Sequence, residues 1–532
     1  MMGRSRSESV GPDVWAMCRE LIPAGSVFAF LAEHRETLFP EAIFADMYPS
    51  PNGRPSVPPG VLACAIVLQT LQGLSDMETA QELRCDLRWK AACGLGLHDL
   101  GFHPSLLAYF RRRLARSVRP DRLFDAVREV VDATGVLKGK HRRALDSAVL
   151  DDAVATQDTV TQLIAGIRRV IREVPGAHSV AAAHCRGHDY SEPGKPPIAW
   201  SDEQARAELV DALVTDALQL LGRLPDQELG PHAADAVGIL ALVAGQDVEP
   251  ADGSDGTDGR WRIARRTVYD RMVSTVDPDA RHVHKSYSQR REGFKAHLAI
   301  EPETGLITAV TLRPAAGAEH HEAAVATELL EGEAKSLLIL ADSAYSTAHL
   351  REHLTTAGHH LLIKPAALKR AVTGGFTLDD FHIDTASGTV TCPAGRTTPL
   401  GSPVGRQHQR KAWFSVQHCT DCLLKARCTT SKRGRVVTWR PHHDLQAAAR
   451  EQATDPQWQA EYRRWRPVVE RVIAWLVAHG NRRIPCRGVV KGERWIHNRA
   501  AALNLRRLIN LGLDYRNGSW KLTAIPRSSS AF

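Results

Sequence analysis

A mixed α/β fold behind an all-α N-terminal region is predicted by three features of the chain. Apolar residues recur at helical spacing through residues 58–116. Two short apolar runs of strand character follow, residues 143–150 and 336–341, and each carries or abuts one aspartate, Asp146 and Asp342. A basic helical pattern then surrounds Glu470 in YRRWRPVVERVIAWL.

The chain has 532 residues, 43% of them apolar, which suits two to four domains at roughly 100–200 residues each. Its formal charge of +8 is unevenly spread. Residues 461–507 hold eleven Arg and one Lys against three Glu, so this window carries +9 and the remainder −1. A basic surplus gathered around one acid suits a site that handles phosphates. Residues 1–15 contain no apolar core of signal-peptide length, and VLACAIVLQTLQGL is broken by Gln well short of the roughly 20 residues that span a bilayer. The sequence therefore predicts a soluble cytoplasmic protein with no membrane partner. Its ten cysteines are expected as thiols or metal ligands, not disulfides.

The first helical stretch reads VLACAIVLQTL, a break at Gly73, LSDMETAQELRCDLRWKAACGL and, after Gly101, HPSLLAYFRRRLARSV. Pro104 suits a first helical turn, and Arg111, Arg112 and Arg113 point in successive directions around that last helix. Short helices joined by Gly-containing turns and ending in an Arg cluster resemble a helix-turn-helix unit, with these three arginines on DNA.

Residues 143–150 come next as a strand. Asp146 is embedded among apolar neighbours, where an ionised group needs a partner or a metal. Asp151 and Asp152 fall at its end and are expected in a solvated turn, and Asp158 is placed as the N-cap of VTQLIAGIRRVIREV. Leu209, Leu213, Ala217 and Leu221 mark a helical insertion at about residues 200–275, which ends in a Gly- and Asp-rich surface loop at 251–259. Two strands with a turn at Thr304-Gly305 precede the apolar run that Asp342 closes. Ser346 is expected to cap the helix TAHLREHL, and HHLLIKP supplies another strand. Between residues 366 and 440 lie Cys392, Cys419, Cys422 and Cys428; the CTDC spacing makes them a candidate structural Zn²⁺ site, with reduced buried thiols as the alternative.

Asp146, Asp342 and Glu470 together read as a metal-dependent phosphodiester site. Cutting a nucleic-acid backbone requires charge stabilisation on attacking and leaving oxygens, which two divalent cations roughly 3.5–4 Å apart provide, and Mg²⁺ prefers carboxylate oxygen. Tyr462, Arg466 and Glu470 are four apart and share one helix face, which sets a phenol and a cation beside the acid.

These residues resemble the DDE-type transposases of bacterial insertion sequences. The resemblance rests on ALDSA around Asp146, GFKAHLAIEPETGLI, ADSAY around Asp342, the cysteine cluster and YRRWRPVVE ending at Glu470, in that order. It implies an α/β fold: an RNase H-like mixed-sheet catalytic domain interrupted by a helical insertion and a Cys-rich insertion, preceded by an all-α helix-turn-helix-like domain. The boundaries expected are an N-terminal segment 1–57, a helical DNA-binding domain 58–140, the catalytic domain 141–365 and 441–515, the Cys-rich insertion 366–440 and a tail 516–532. The resemblance further implies Asp146, Asp342 and Glu470 as catalytic ligands of two Mg²⁺ (or Mn²⁺) ions, and double-stranded DNA as partner, both as terminal inverted repeats and as target. A homodimer in the synaptic complex and association with the nucleoid when DNA is bound also follow. Lys295, His297, Tyr345, Tyr462, Arg466, Arg482 and Arg483 are candidate DNA contacts. Val477 stands where many members carry a basic residue, for which His479 or Arg482 could substitute, and Ser343-Ala344 stands where the second motif often has Lys-Gly. Two alternatives stay open: an RNase H-like nuclease without joining activity, and an inactivated or domesticated DNA-binding protein.

Overall fold

Strand β1 (Arg142–Asp151) occupies the middle of a six-stranded sheet. The computed structural model describes the chain apart from residues 4–10, 51, 256–259, 265–267, 269, 285–289, 335, 406–407 and 524–532. On one side β1 pairs antiparallel with β3 (Arg290–Glu301), whose far edge carries β2 (Arg281–His284) and β4 (Leu306–Pro314). On the other side it pairs parallel with β5 (Leu338–Ala341), which pairs parallel with β6 (His360–Ile363). Alternate residues of a strand face opposite sides of its sheet, and β1 is apolar on both: Ala144, Ala148 and Leu150 enter one core and Leu145 another. The sheet is therefore covered on both faces.

One face is covered by α9 (Ala348–Thr356) through Leu350 and Leu354, with the short helix Glu322–Val325 beside it. Thr347, not Ser346, caps α9, accepting from the Leu350 amide; Ser346 Oγ instead accepts from Arg351 and the Ala366 amide. The opposite face receives α11 (Pro456–Val477) and α12 (Val489–Asn510).

The N-terminal helices join that second core. They are α1 (Val27–Leu38), α2 (Pro59–Gln72), α3 (Asp76–Cys85), α4 (Ser105–Arg116) and α5 (Arg122–Thr134). The predicted long helix after Gly73 is broken at Asp86, whose carboxylate accepts from the Arg88 amide and so starts a second helix, Leu87–Cys93. Val27, Phe30, Leu31, Phe39 and Phe44 are buried in the same core, so residues ahead of 58 belong to the folded body. Gly73 closes α2 with φ of 69°, and a Cβ there would collide with the His479 carbonyl, so glycine is required both by conformation and by close approach. No single helix among the described residues is long and apolar enough to cross a membrane. The bent pair α2 and α3 passes that test on composition, and α2 is buried along most of its length.

The helical insertion begins earlier than its leucine repeat predicts. It comprises α6 (Thr159–Glu173), α7 (Glu203–Arg223) and α8 (Pro231–Gln246), and these close on a core of their own. Asp158 caps α6 through the Thr161 amide, as expected, and α7 buries Leu209, Leu213 and Ala217. Part of the 251–259 loop and residues 524–532 of the expected tail lie outside the described residues; ahead of the latter, Leu513–Arg516 and Ser519–Leu522 form a hairpin. In the Cys-rich stretch, β7 (His382–Asp384), β8 (Thr389–Thr391) and β9 (Thr397–Pro399) form a small sheet beside the hairpin of β10 (Arg410–Phe414) and β11 (Arg435–Trp439).

Arg499 on α12 is fully buried and donates only to backbone carbonyls, those of Leu476, Trp475 and Ala478 at the end of α11 and that of Thr70 in α2. It satisfies the orphan carbonyls of one helix end and ties three helices together. Arg499→Leu leaves these acceptors buried without donors, and we expect a loss of about 3 kcal/mol or more. Thermal unfolding should show a midpoint several degrees lower; an unchanged midpoint would remove Arg499 from this role.

Candidate active site

Asp146 sits in the middle of β1, one step beyond the Leu145–Ala341 pair, so it stands beside Asp342 across the parallel ladder. Asp342 follows the last residue of β5, and its side chain accepts from the Ala344 amide 2.9 Å away. Two apolar strands thus set two acids side by side, and one helix brings further side chains over them.

That helix is α11. Trp465, Val469, Val472 and Leu476 form its buried stripe, and the Trp465 indole N–H donates to Glu461 while Arg142 lies over the ring at 5.1 Å. Those contacts fix α11 against the start of β1 and bring Arg466 and Glu470 over the acids. The Arg466 guanidinium lies 3.0 Å from Asp146 and 3.2 Å from Glu470, so one cation bridges two of the carboxylates. Tyr462, one turn earlier, stacks on Trp458 with centroids 5.3 Å apart.

Asp146 is only 7% exposed. Burial pushes its carboxyl up to about 6; Arg466 and the Ser147 amide oppose the rise, while Asp342 and Glu470 add to it. Burial works against charge on Arg466 too, but Asp146, Tyr462, Asp342 and Glu470 hold its pKa above the usual value. Glu470 is the most accessible of the three acids, with 63% of its side chain exposed.

Lys295, His297 and Tyr345 do not lie on the surface, which corrects their expectation as DNA contacts. Lys295 is buried in a 2.9 Å ion pair with Glu322, which also accepts from Ser147 Oγ at 2.9 Å. His297, opposite Ser147 in the register, is fully buried with neither ring nitrogen hydrogen-bonded, and burial lowers its pKa to about 3, leaving it neutral. Tyr345 is fully buried as well, and burial together with Asp146, Glu322 and Asp342 keeps its hydroxyl protonated. By strand alternation Ser147, His297 and Lys295 occupy the sheet face opposite Asp146, so the acids rest on a polar layer that sequence alone does not reveal.

Asp152 also departs from expectation. It is 5% exposed, and burial followed by the neighbouring Asp277 raises its pKa to about 6. Asp277 and Asp279 accept from the Gly488 and Val489 amides and so cap α12.

Of the expected DNA-contact arginines, Arg111 is held by Asp76 and Gln69. Arg482 donates to the Val149 carbonyl and Arg483 to those of Asp152 and Ala153, which fastens the chain after α11 to the end of β1. Arg112 and Arg113 are exposed; Arg112 lies over the Tyr109 ring at 4.4 Å and Arg113 over Tyr48 at 4.6 Å. With Arg116 they line an open groove of about 410 Å³, to which Tyr109 and Arg116 are additions that the periodicity of α4 could have supplied.

Among the described residues no three His, Cys, Asp or Glu side chains are already gathered tightly enough to hold a metal ion. The donor set of Asp146, Asp342 and Glu470 nevertheless fits a hard divalent cation, because all donors are oxygen and the three acids raise one another's need for positive charge. In this arrangement Arg466 supplies that charge.

Residues 391–509 match the family model described as Transposase DDE domain, and residues 16–113 match Transposase domain (DUF772). The first match contains Glu470 and the cysteines, and neither contains Asp146 or Asp342. No curated protein and no solved structure matches the chain. Both matched models are transposase domains, and the mixed sheet is compatible with the RNase H-like fold that a DDE domain implies. Two separate stretches of the chain are thus similar to transposase domains, which supports a DDE-type insertion-sequence transposase. Proteins of this kind act on DNA, and their DDE domains generally use divalent metal ions.

In the metal-free protein the Asp146 carboxyl should titrate near pH 6, as its raised pKa of about 6 requires. Arg466→Met removes the cation that most opposes the rise, and the midpoint should then move up by about one pH unit or more. Carboxyl ¹³C NMR, assigned with Asp146→Asn, measures both; a midpoint near 4 in the parent chain would contradict the burial argument.

Proposed function

We propose that the chain binds the ends of an insertion sequence and catalyses metal-dependent strand cleavage and strand transfer with Asp146, Asp342 and Glu470 as its acids. The observation that carries this reading is that acids 196 and 128 residues apart in sequence come together: Asp342 stands beside Asp146 across the parallel ladder, and Arg466 contacts both Asp146 and Glu470. Divalent ions, Mg²⁺ or Mn²⁺, would supply charge to the attacking and leaving oxygens of an in-line displacement. Asp146 holds its place because β1 is locked on both edges. Asp342 is oriented by the Ala344 amide, and Glu470 on exposed α11 has the most freedom to follow the substrate. The planar guanidinium of Arg466 and the phenol of Tyr462 suit a phosphate beside the scissile one.

The groove of Tyr109, Arg112, Arg113 and Arg116 is the proposed grip on duplex DNA, with the aromatic ring supporting the arginine plane. Pairing two ends calls for two copies of the chain, expected as a homodimer on DNA.

Asp146→Asn, Asp342→Asn and Glu470→Gln should each lower cleavage and joining of a labelled end fragment by about 10³-fold or more while leaving gel-shift binding intact. Undiminished Mg²⁺-dependent cleavage by Asp146→Asn would defeat the assignment, and cleavage without any joined product in the parent chain would favour the nuclease reading. Arg112→Ala combined with Arg116→Ala should weaken end binding and reduce the slope of log K against log salt by about 2. An unaltered slope would place the DNA elsewhere.

A further inference from the structure

The Cys-rich stretch has too little apolar core for its size. Its buried hydrophobic residues are Phe381, Val390, Leu400, Ala412, Phe414 and Val437, which must hold together a three-stranded sheet and a separate hairpin. Units this small usually depend on a disulfide or a metal. All ten cysteines of the chain are free thiols, so no disulfide supplies the link.

Four of those thiols line one cavity. Cys392 stands in the tight turn after β8, where its carbonyl accepts from the Gly395 amide and its own amide donates to Arg396. Cys419 lies in the short helix Val416–Thr420, Cys422 in the turn that follows, and Cys428 at the end of Lys425–Cys428. All four line one cavity of about 20 Å³, walled otherwise by aromatic rings such as Phe376, Phe381 and Phe414. That volume is enough for a single small occupant and no more.

The polar groups around this cavity are short of partners. Among the described residues, Cys419 is the one of the four thiols with a hydrogen bond, a long one of 3.9 Å to the Phe414 carbonyl. His418 Nδ1 and Arg435 Nε line the same cavity, buried and without a partner. Buried polar atoms are normally satisfied, so a concentration of unsatisfied ones around a cavity of ionic size is a sign of a ligand. Four sulfurs select a soft or borderline cation and match the closed tetrahedral set of a structural zinc site. Four thiolates around Zn²⁺ carry a net charge of about −2, and the cavity provides two cations, Lys425 and Arg435, to balance it.

We infer that Cys392, Cys419, Cys422 and Cys428 form a structural Zn²⁺ site, with His418 outside the ligand set donating to a thiolate. The thiols surround the cavity without yet closing on a common centre, so binding draws them inward and releases their protons. The staple also bears on the rest of the fold. Arg450 on α10 (His443–Gln452) forms a two-pronged ion pair with Asp379 of the Cys-rich unit, at 2.5 and 2.6 Å. Gln446 of the same helix donates to the Ser346 carbonyl, just past Asp342. The metal unit is thus tethered to the turn that holds the second acid.

Full-length protein purified without chelators should contain about one zinc per chain by elemental analysis. Co²⁺ exchanged into it should show thiolate-to-metal charge transfer and the visible bands of a tetrahedral sulfur site. Cys419→Ser and Cys422→Ser should lower metal occupancy by about tenfold or more. Cys85→Ser, at an exposed cysteine outside the cavity, and His418→Ala should retain it. A parent chain that carries no zinc and takes up no Co²⁺ overturns the site, whatever the variants do. Bound iron in place of zinc overturns the choice of metal, and loss of metal in His418→Ala overturns the four-thiolate set.

Discussion

A buried carboxyl with two more acids beside it is unstable as an anion unless positive charge is close, and the central sheet and its covering helix α11 are arranged around that requirement at Asp146. Arg466 meets it by bridging Asp146 and Glu470. The arginine cannot reach both unless α11 lies over β1 at a fixed distance and rotation. The Trp465 stripe and the contacts of Arg142 with Trp465 and Glu461 set both. Pro467 within α11 removes one helical amide between Arg466 and Glu470, a local loosening where the helix must present two side chains to the same acids. Displacing Arg466 from the acids requires something with comparable positive charge, which is the property a divalent cation brings.

The frame that holds α11 is α12, through Arg499 and the capped α12 start at Asp277 and Asp279. Because Arg499 also reaches Thr70, and Gly73 abuts His479, the N-terminal helices and the Glu470 helix share one support. A helix bearing candidate DNA-gripping arginines is therefore mechanically continuous with the helix bearing an acid. The proposed DNA grip at α4 is thus joined to α11 through packed helices.

The strands that carry Asp146 and Asp342 were legible from sequence because an acid inside or closing a short apolar run is rare and costly. Glu470 was singled out by its basic surroundings and by the family resemblance, since its helix alone has ordinary i, i+4 charge spacing. Lys295 and His297 misled because strand periodicity separates two faces without saying which is covered; the helix Glu322–Val325 covers theirs and supplies the acid that pairs with Lys295. Asp152 misled for a related reason. It ends a strand, where acids are commonly solvated, but a loop 125 residues later brings Asp277 against it. The insertion was recognised by its leucine repeat but its start was not, because α6 follows β1 so closely that its own apolar stripe reads as part of the catalytic fold.

Chain direction explains why two insertions could be accommodated without disturbing the acids. β1, β5 and β6 are parallel, so their carboxyl ends share one edge of the sheet. Asp342 lies at that edge, the helical insertion departs from the end of β1, and the Cys-rich unit departs after β6. In open α/β sheets ligands bind beyond the carboxyl ends of the strands, where neighbouring connections diverge, and here β1 is the strand at which pairing changes from antiparallel to parallel. Both insertions therefore leave from the carboxyl ends of these strands, one closing on its own helical core and the other on a small core beside its cysteines. The opposite edge of the sheet carries short connections such as the Thr304-Gly305 turn.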